Sequence, residues 1–127
     1  RIEDQEVIWM TVKDCYEAIG ADYQEVLRRL ANEERVKRFL LKFPGDDSFS
    51  GLVKAVEEGD YETAFRAVHT LKGICLNLSI TRLAASSSAL TESLRSGGWS
   101  EEAGRLFEQV KEEYAQTVQE IKKLEND

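Results

Sequence analysis

At 127 residues and 14.4 kDa the chain has the length of one domain. A domain of this size buries roughly two-thirds of the surface its unfolded chain exposes, so its core needs no metal or disulfide staple. Acidic side chains outnumber basic ones 24 to 17, a formal charge of −7, which argues against nucleic acid or an anionic membrane as a partner.

No apolar run approaches the roughly 18 residues that a membrane span needs, and no basic–apolar–small leader is visible. Cys15 and Cys75 lie far apart and form no metal-ligand spacing. They read as reduced thiols of a cytoplasmic protein. Residues 1–10 read as a tail or linker, with Met10 as a candidate native start, and 11–127 as a single domain.

In chain order, Val12, Cys15, Tyr16 and Ile19 have helical spacing, and Gly20 ends that piece. Asp22 suits the N-cap of a helix carrying Tyr23, Val26, Leu27 and Leu30. Asn32 suits the cap of another with Val36, Phe39, Leu40 and Phe43, stopped by Pro44 and Gly45. Phe49, Leu52, Val53 and Val56 then share a helical face, with Gly59 just past its end. Asp60 begins a helix that runs to about Leu78, roughly 27 Å long. Thr81 opens the next, through Leu83, Leu90 and Leu94, ended by Gly97 and Gly98. The small residues at 84–89 in its middle let a neighbouring helix approach closely. Ser100 caps the last helix, whose apolar stripe runs from Ala103 to Leu124. No strand alternation occurs. The expected fold is all-α, an antiparallel up-and-down four-helix bundle with additional short N-terminal helical segments.

His69 is the only histidine. A lone helical histidine is more often an ordinary side chain than a reactive one, so its neighbours decide. With about 100° per residue and Phe65 set at zero, Ala64, Val68, Leu71, Cys75, Leu78 and Tyr61 fall in an arc of roughly 220° to 320°, the core face. His69 falls near 40°, outside it, with Lys72, Leu76 and Gly73 on the same side. An exposed imidazole nitrogen can attack phosphorus, and the Lys72 ammonium would offset the charge of a phosphoryl group carried there. A glycine costs about 0.8–1 kcal/mol in a helix interior relative to alanine. Gly73 therefore needs a reason: space for another protein, or close packing of a neighbouring helix. Leu76 reads equally as a docking contact or as the edge of a wide core stripe.

The stretch Asp60–Leu78, above all His69-Thr70-Leu71-Lys72-Gly73, resembles the signature of histidine-containing phosphotransfer (HPt) domains: an apolar run, then H-x-L-K-G, then small and apolar residues. The likeness extends to about Gly98. Ser79 stands where the family usually has glycine, and Ile74 is larger than the residue commonly next to the motif glycine. The resemblance implies a four-helix bundle in which His69 takes a phosphoryl group from the phospho-aspartate of a receiver domain and passes it to another receiver. It further implies that Lys72 stabilises the transferring phosphate and that Gly73 gives the receiver access. The chain itself would need no cofactor, because the Mg²⁺ belongs to the receiver's acidic pocket. Response-regulator receivers, and possible attachment to a hybrid histidine kinase, are the implied partnerships. Glu62 near 60° and Arg66 near 100° share the outward side with His69 and, with Leu76, are candidate partner contacts.

A second reading is a non-catalytic helical interaction module that uses the same face only for binding. An enzyme acting alone is disfavoured: there is no P-loop, no Gly-rich nucleotide loop, no H-E-x-x-H pair and no second histidine to serve as a base. The expectation is a phosphoryl carrier without ATP-dependent kinase activity of its own.

Overall fold

The computed structural model of the protein describes residues 10–124. The tail assigned to residues 1–10 therefore falls, except for Met10, outside the described residues. Among them there is no strand. Seven α-helices follow in order: α1 (Val12–Ala18), α2 (Tyr23–Leu30), α3 (Glu33–Lys42), α4 (Ser48–Glu57), α5 (Tyr61–Asn77), α6 (Thr81–Gly97) and α7 (Glu101–Leu124). A 3₁₀ turn at Phe43–Gly45, built on Pro44, separates α3 from α4.

Local chemistry explains most of the boundaries. Thr11 and Asp14 form a reciprocal capping box at the start of α1, with bonds of 3.0 and 3.3 Å. Asp22, Asn32, Asp60 and Ser100 each accept the backbone N–H three residues on, at 2.9 to 3.1 Å. Gly20 has φ +64°, and the Arg82 guanidinium occupies the space a Cβ would need. Glycine adopts this backbone without strain and leaves the Arg82 guanidinium in place.

The long helices pack in sequence, α4 on α5, α5 on α6 and α6 on α7, while α1 and α3 lie against α7. Phe49 of α4 stacks on Tyr114 of α7 with ring centroids 3.8 Å apart, bringing the first and last of the long helices together. The core between them holds Val36, Leu40, Leu52, Val68, Leu71, Leu83, Leu90, Val110 and Ile121, all buried. The small stretch of α6 behaves as its composition requires: Ala84, Ser86 and Ser87 are buried, so neighbouring helices approach that side closely.

α5 ends at Asn77 with Leu78 as its C-cap, within one residue of the expected end. One detail differs from the sequence expectation. Tyr61, placed on the core arc by periodicity, is only half-buried, because the first residue of α5 projects past the packed zone and stacks on Trp99 at 5.0 Å.

The first two helices close the far end of α5. The Tyr16 hydroxyl donates to the Leu78 carbonyl at 2.8 Å, and Arg29 Nη1 donates to the carbonyls of Leu76 and Asn77 at 3.2 and 2.9 Å. A helix C-terminus leaves its last carbonyls short of intrahelical donors, and here the Leu76 carbonyl accepts from the Ser79 N–H as well, at 3.2 Å. Ser79 follows in the left-handed region, at φ 56°. Glycine is the residue that adopts this conformation most readily. Serine holds it because its hydroxyl is engaged on both sides: it accepts from Arg29 Nη1 at 2.8 Å and donates to Glu25 Oε1 at 2.8 Å.

Candidate functional site

The site is built on the outward side of α5, whose inner face is fixed by Ala64, Val68, Leu71 and Cys75, all buried. His69 is exposed. The imidazole lies nearly parallel to the ring of Phe65, one turn earlier, with 10° between the planes and 6.1 Å between the centroids. Lys72, one turn later, is half-buried and lines a cleft between α5 and α6.

Gly73 is exposed, and a Cβ built on it would meet nothing within 4 Å. Close packing of a neighbouring helix is therefore not the reason for this glycine. The space beyond it is open.

Leu76 is 54 % exposed, a large apolar side chain outside the core. It borders the same cleft as Lys72, with a volume of about 340 Å³ and Cys75, Ser79, Ala84 and Ser88 among its walls. Phe39 of α3, 36 % exposed, lies on the other flank of α5, beside Ile74 and Asn77. Phe39 shares the helical apolar spacing of Val36, Leu40 and Phe43 but, unlike them, is not buried. Its amphipathic signal was ambiguous, because Phe39 and Leu40 are adjacent and only one can face inward.

Glu62 and Arg66 are both exposed and paired with each other, Arg66 Nη1 lying 3.6 Å from Glu62 Oε2. Arg66 also donates to Thr63 Oγ1 at 3.3 Å, so neither charge stands alone on that side. Arg95, on α6, was not singled out by the sequence, since nothing in its spacing links it to α5. Its guanidinium carbon lies 5.0 Å from the Phe65 ring centroid.

Both cysteines are buried and free. Burial pushes each thiol from an ordinary 9.0 up to about 12, with Glu120 adding to the effect at Cys15 and Asp46 at Cys75. Neither is a nucleophile at neutral pH, although Cys75 sits directly beneath the cleft. Among the described residues no three His, Cys, Asp or Glu side chains gather as a metal site would require, and no helix is long and apolar enough to cross a membrane.

The fold and the site define a class: an all-helical domain that presents one histidine, a lysine and an uncovered glycine along one exposed helix face. The family model of the Hpt domain matches residues 44–120, which span α4, α5, α6 and most of α7. The chain belongs to the Hpt domain family. Domains of this family act in phosphorelays by histidine phosphotransfer, with receiver domains as partners. No curated protein and no solved structure matched the chain.

Proposed function

We propose that the domain is a phosphoryl carrier in a multistep relay, with His69 as the acceptor. A ring nitrogen of His69 attacks the phosphorus of a receiver's aspartyl phosphate. The N–P bond forms as the P–O bond to the aspartate breaks, and the aspartate leaves as a free carboxylate. Onward transfer runs the same exchange in reverse, with the carboxylate of a second receiver as nucleophile. Such a transfer needs mainly positioning and charge stabilisation. One nucleophile on a rigid helix can therefore serve, with the partner supplying the rest.

In this reading α4 to α7 form the antiparallel four-helix bundle of the family. Lys72 offsets the charge of the bound phosphoryl group, and Gly73 leaves room for the receiver's approach. Leu76 supplies apolar contact, while Glu62 and Arg66 bias the choice of partner by charge. We assign the divalent cation of the reaction, Mg²⁺, to the receiver, and the domain to the cytoplasm, where receivers and reduced thiols are found.

The observation that carries the proposal is the exposed His69 one turn before a glycine with open space over it. The exposed Leu76 would serve a purely binding module equally well, so labelling must separate the two. Receiver domains charged with labelled acetyl phosphate and Mg²⁺ should transfer label to the chain as an acid-labile, base-stable adduct. His69→Gln should abolish the label with far-UV circular dichroism unchanged. Label that persists in the variant removes His69 from the role; a chain that docks receivers without ever taking label is a binding module.

A further inference from the structure

The imidazole has unlike neighbours along its helix. Toward the C-terminus, one turn on, Gly73 offers no side chain at all. Toward the N-terminus, one turn back, the Phe65 ring lies nearly parallel to the imidazole, 10° apart in plane and 6.1 Å between centroids. Long side chains on a helix lean back over the preceding turn, so the histidine ring leans toward Phe65 and away from the gap. At that centroid distance the two rings are offset rather than face to face, an arrangement aromatic pairs favour.

Phe65 is itself held. It is half-buried against the core, and the Arg95 guanidinium carbon of α6 lies 5.0 Å from its centroid, within cation–π range. Arg95 is steadied in turn by Glu92, whose carboxylate oxygens lie 3.3 and 3.4 Å from its Nε. A chain of contacts thus runs from Glu92 and Arg95 on α6, through Phe65, to His69 on α5.

Building on the relay reading above, we infer that Phe65, pinned by Arg95, is the positioning residue for His69: it holds the imidazole in one rotamer and one ring plane. The pair touches no reacting atom. It acts by narrowing the orientations from which the imidazole can meet phosphorus, and orientation of a nucleophile is a large lever on rate.

The rotamer is measurable without any partner. In chain labelled with ¹³C and ¹⁵N at histidine, three-bond couplings should report one dominant χ1 state for His69. Phe65→Leu, which keeps the apolar bulk but removes the ring, should let that state average. Arg95→Gln, a surface change that leaves the fold intact, should do so in part, and Arg95→Lys should restore it. With charged receivers, Phe65→Leu should lower the maximal transfer rate about tenfold while leaving the half-saturating receiver concentration unchanged. Chemical phosphorylation by the small donor phosphoramidate, which approaches from any side, should be affected far less. An unchanged rotamer distribution in both Phe65→Leu and Arg95→Gln overturns the inference. So does a slower transfer that comes entirely from weaker docking. If no receiver labels the wild-type chain yet the rotamer still loosens in Phe65→Leu, the relay reading fails and the positioning contact stands.

Discussion

Arg29 Nη1 lies 2.8 Å from Ser79 Oγ, joining the second helix of the chain to the residue that turns the polypeptide out of α5. The same nitrogen reaches the carbonyls of Leu76 and Asn77. A single side chain thus caps the functional helix and anchors the left-handed residue behind it.

This arrangement separates two substitutions at one position. Ser79→Ala keeps the backbone strain and strips the hydroxyl from both Arg29 and Glu25, so urea denaturation should show a loss of about 1–3 kcal/mol. Ser79→Gly also loses the hydroxyl but relieves a left-handed conformation that costs a residue with a Cβ roughly 1–2 kcal/mol. The glycine variant should therefore be the more stable of the two. A reversed order would show that the φ of 56° carries no strain.

Gly73 should give opposite signs for stability and function. With nothing near its missing Cβ, Gly73→Ala should raise unfolding free energy by about 0.8–1 kcal/mol through helix propensity alone. Gly73→Gln should leave the fold intact and slow transfer from a charged receiver by about tenfold or more, since a 1 Å misplacement of reacting groups already has effects of that order. Thermal melts beside single-turnover labelling test both. A parallel fall in stability and transfer would mean that the glycine is there for packing.

Leu76 is exposed enough to be changed without damage to the core. Leu76→Asn should shift unfolding free energy by no more than about 0.5 kcal/mol and raise the receiver concentration needed for half-maximal transfer. Titration of receiver against transfer rate, with a urea curve on the same sample, provides the check.

The buried thiols set an alkaline limit. In the folded chain Cys15 and Cys75 hold their protons up to about 12, whereas the ordinary thiol value is 9.0. Above pH 9 the unfolded chain therefore releases protons that the folded chain keeps. The stability they contribute is full below pH 9 and is lost as pH rises toward 12. Burial also raises the phenols of Tyr16 and Tyr114, with the same sign. Chemical denaturation across that range should show the decline, and a Cys15→Ala, Cys75→Ala double variant should show a shallower one. At pH 8 iodoacetamide should modify the native chain far more slowly than the unfolded chain.

Much of this was legible in the residues. Asp22, Asn32, Asp60 and Ser100 have the type and position of caps, and each makes its bond. The orientation of α5 follows from 3.6-residue periodicity, which separates His69 from the buried Val68, Leu71 and Cys75; Leu76, open between core edge and docking contact in the sequence, is exposed. What stayed hidden depends on contacts far apart in the chain. Tyr16 and Arg29 reach α5 across 62 and 47 residues or more. Arg95 meets Phe65 only because two helices pack side by side. Ser79 is held in its turn by hydroxyl partners on α2, Arg29 and Glu25, 50 and 54 residues away in the chain.

His69 stands midway along α5, between the Asp60 cap at one end and the Tyr16 and Arg29 caps at the other. Terminal fraying, which opens the first and last turns of a helix, does not reach it. Its amide should be among the slowest in the chain to exchange with deuterium. The imidazole is thus carried by a helix capped at both ends, which leaves it chiefly the two torsions of its own side chain.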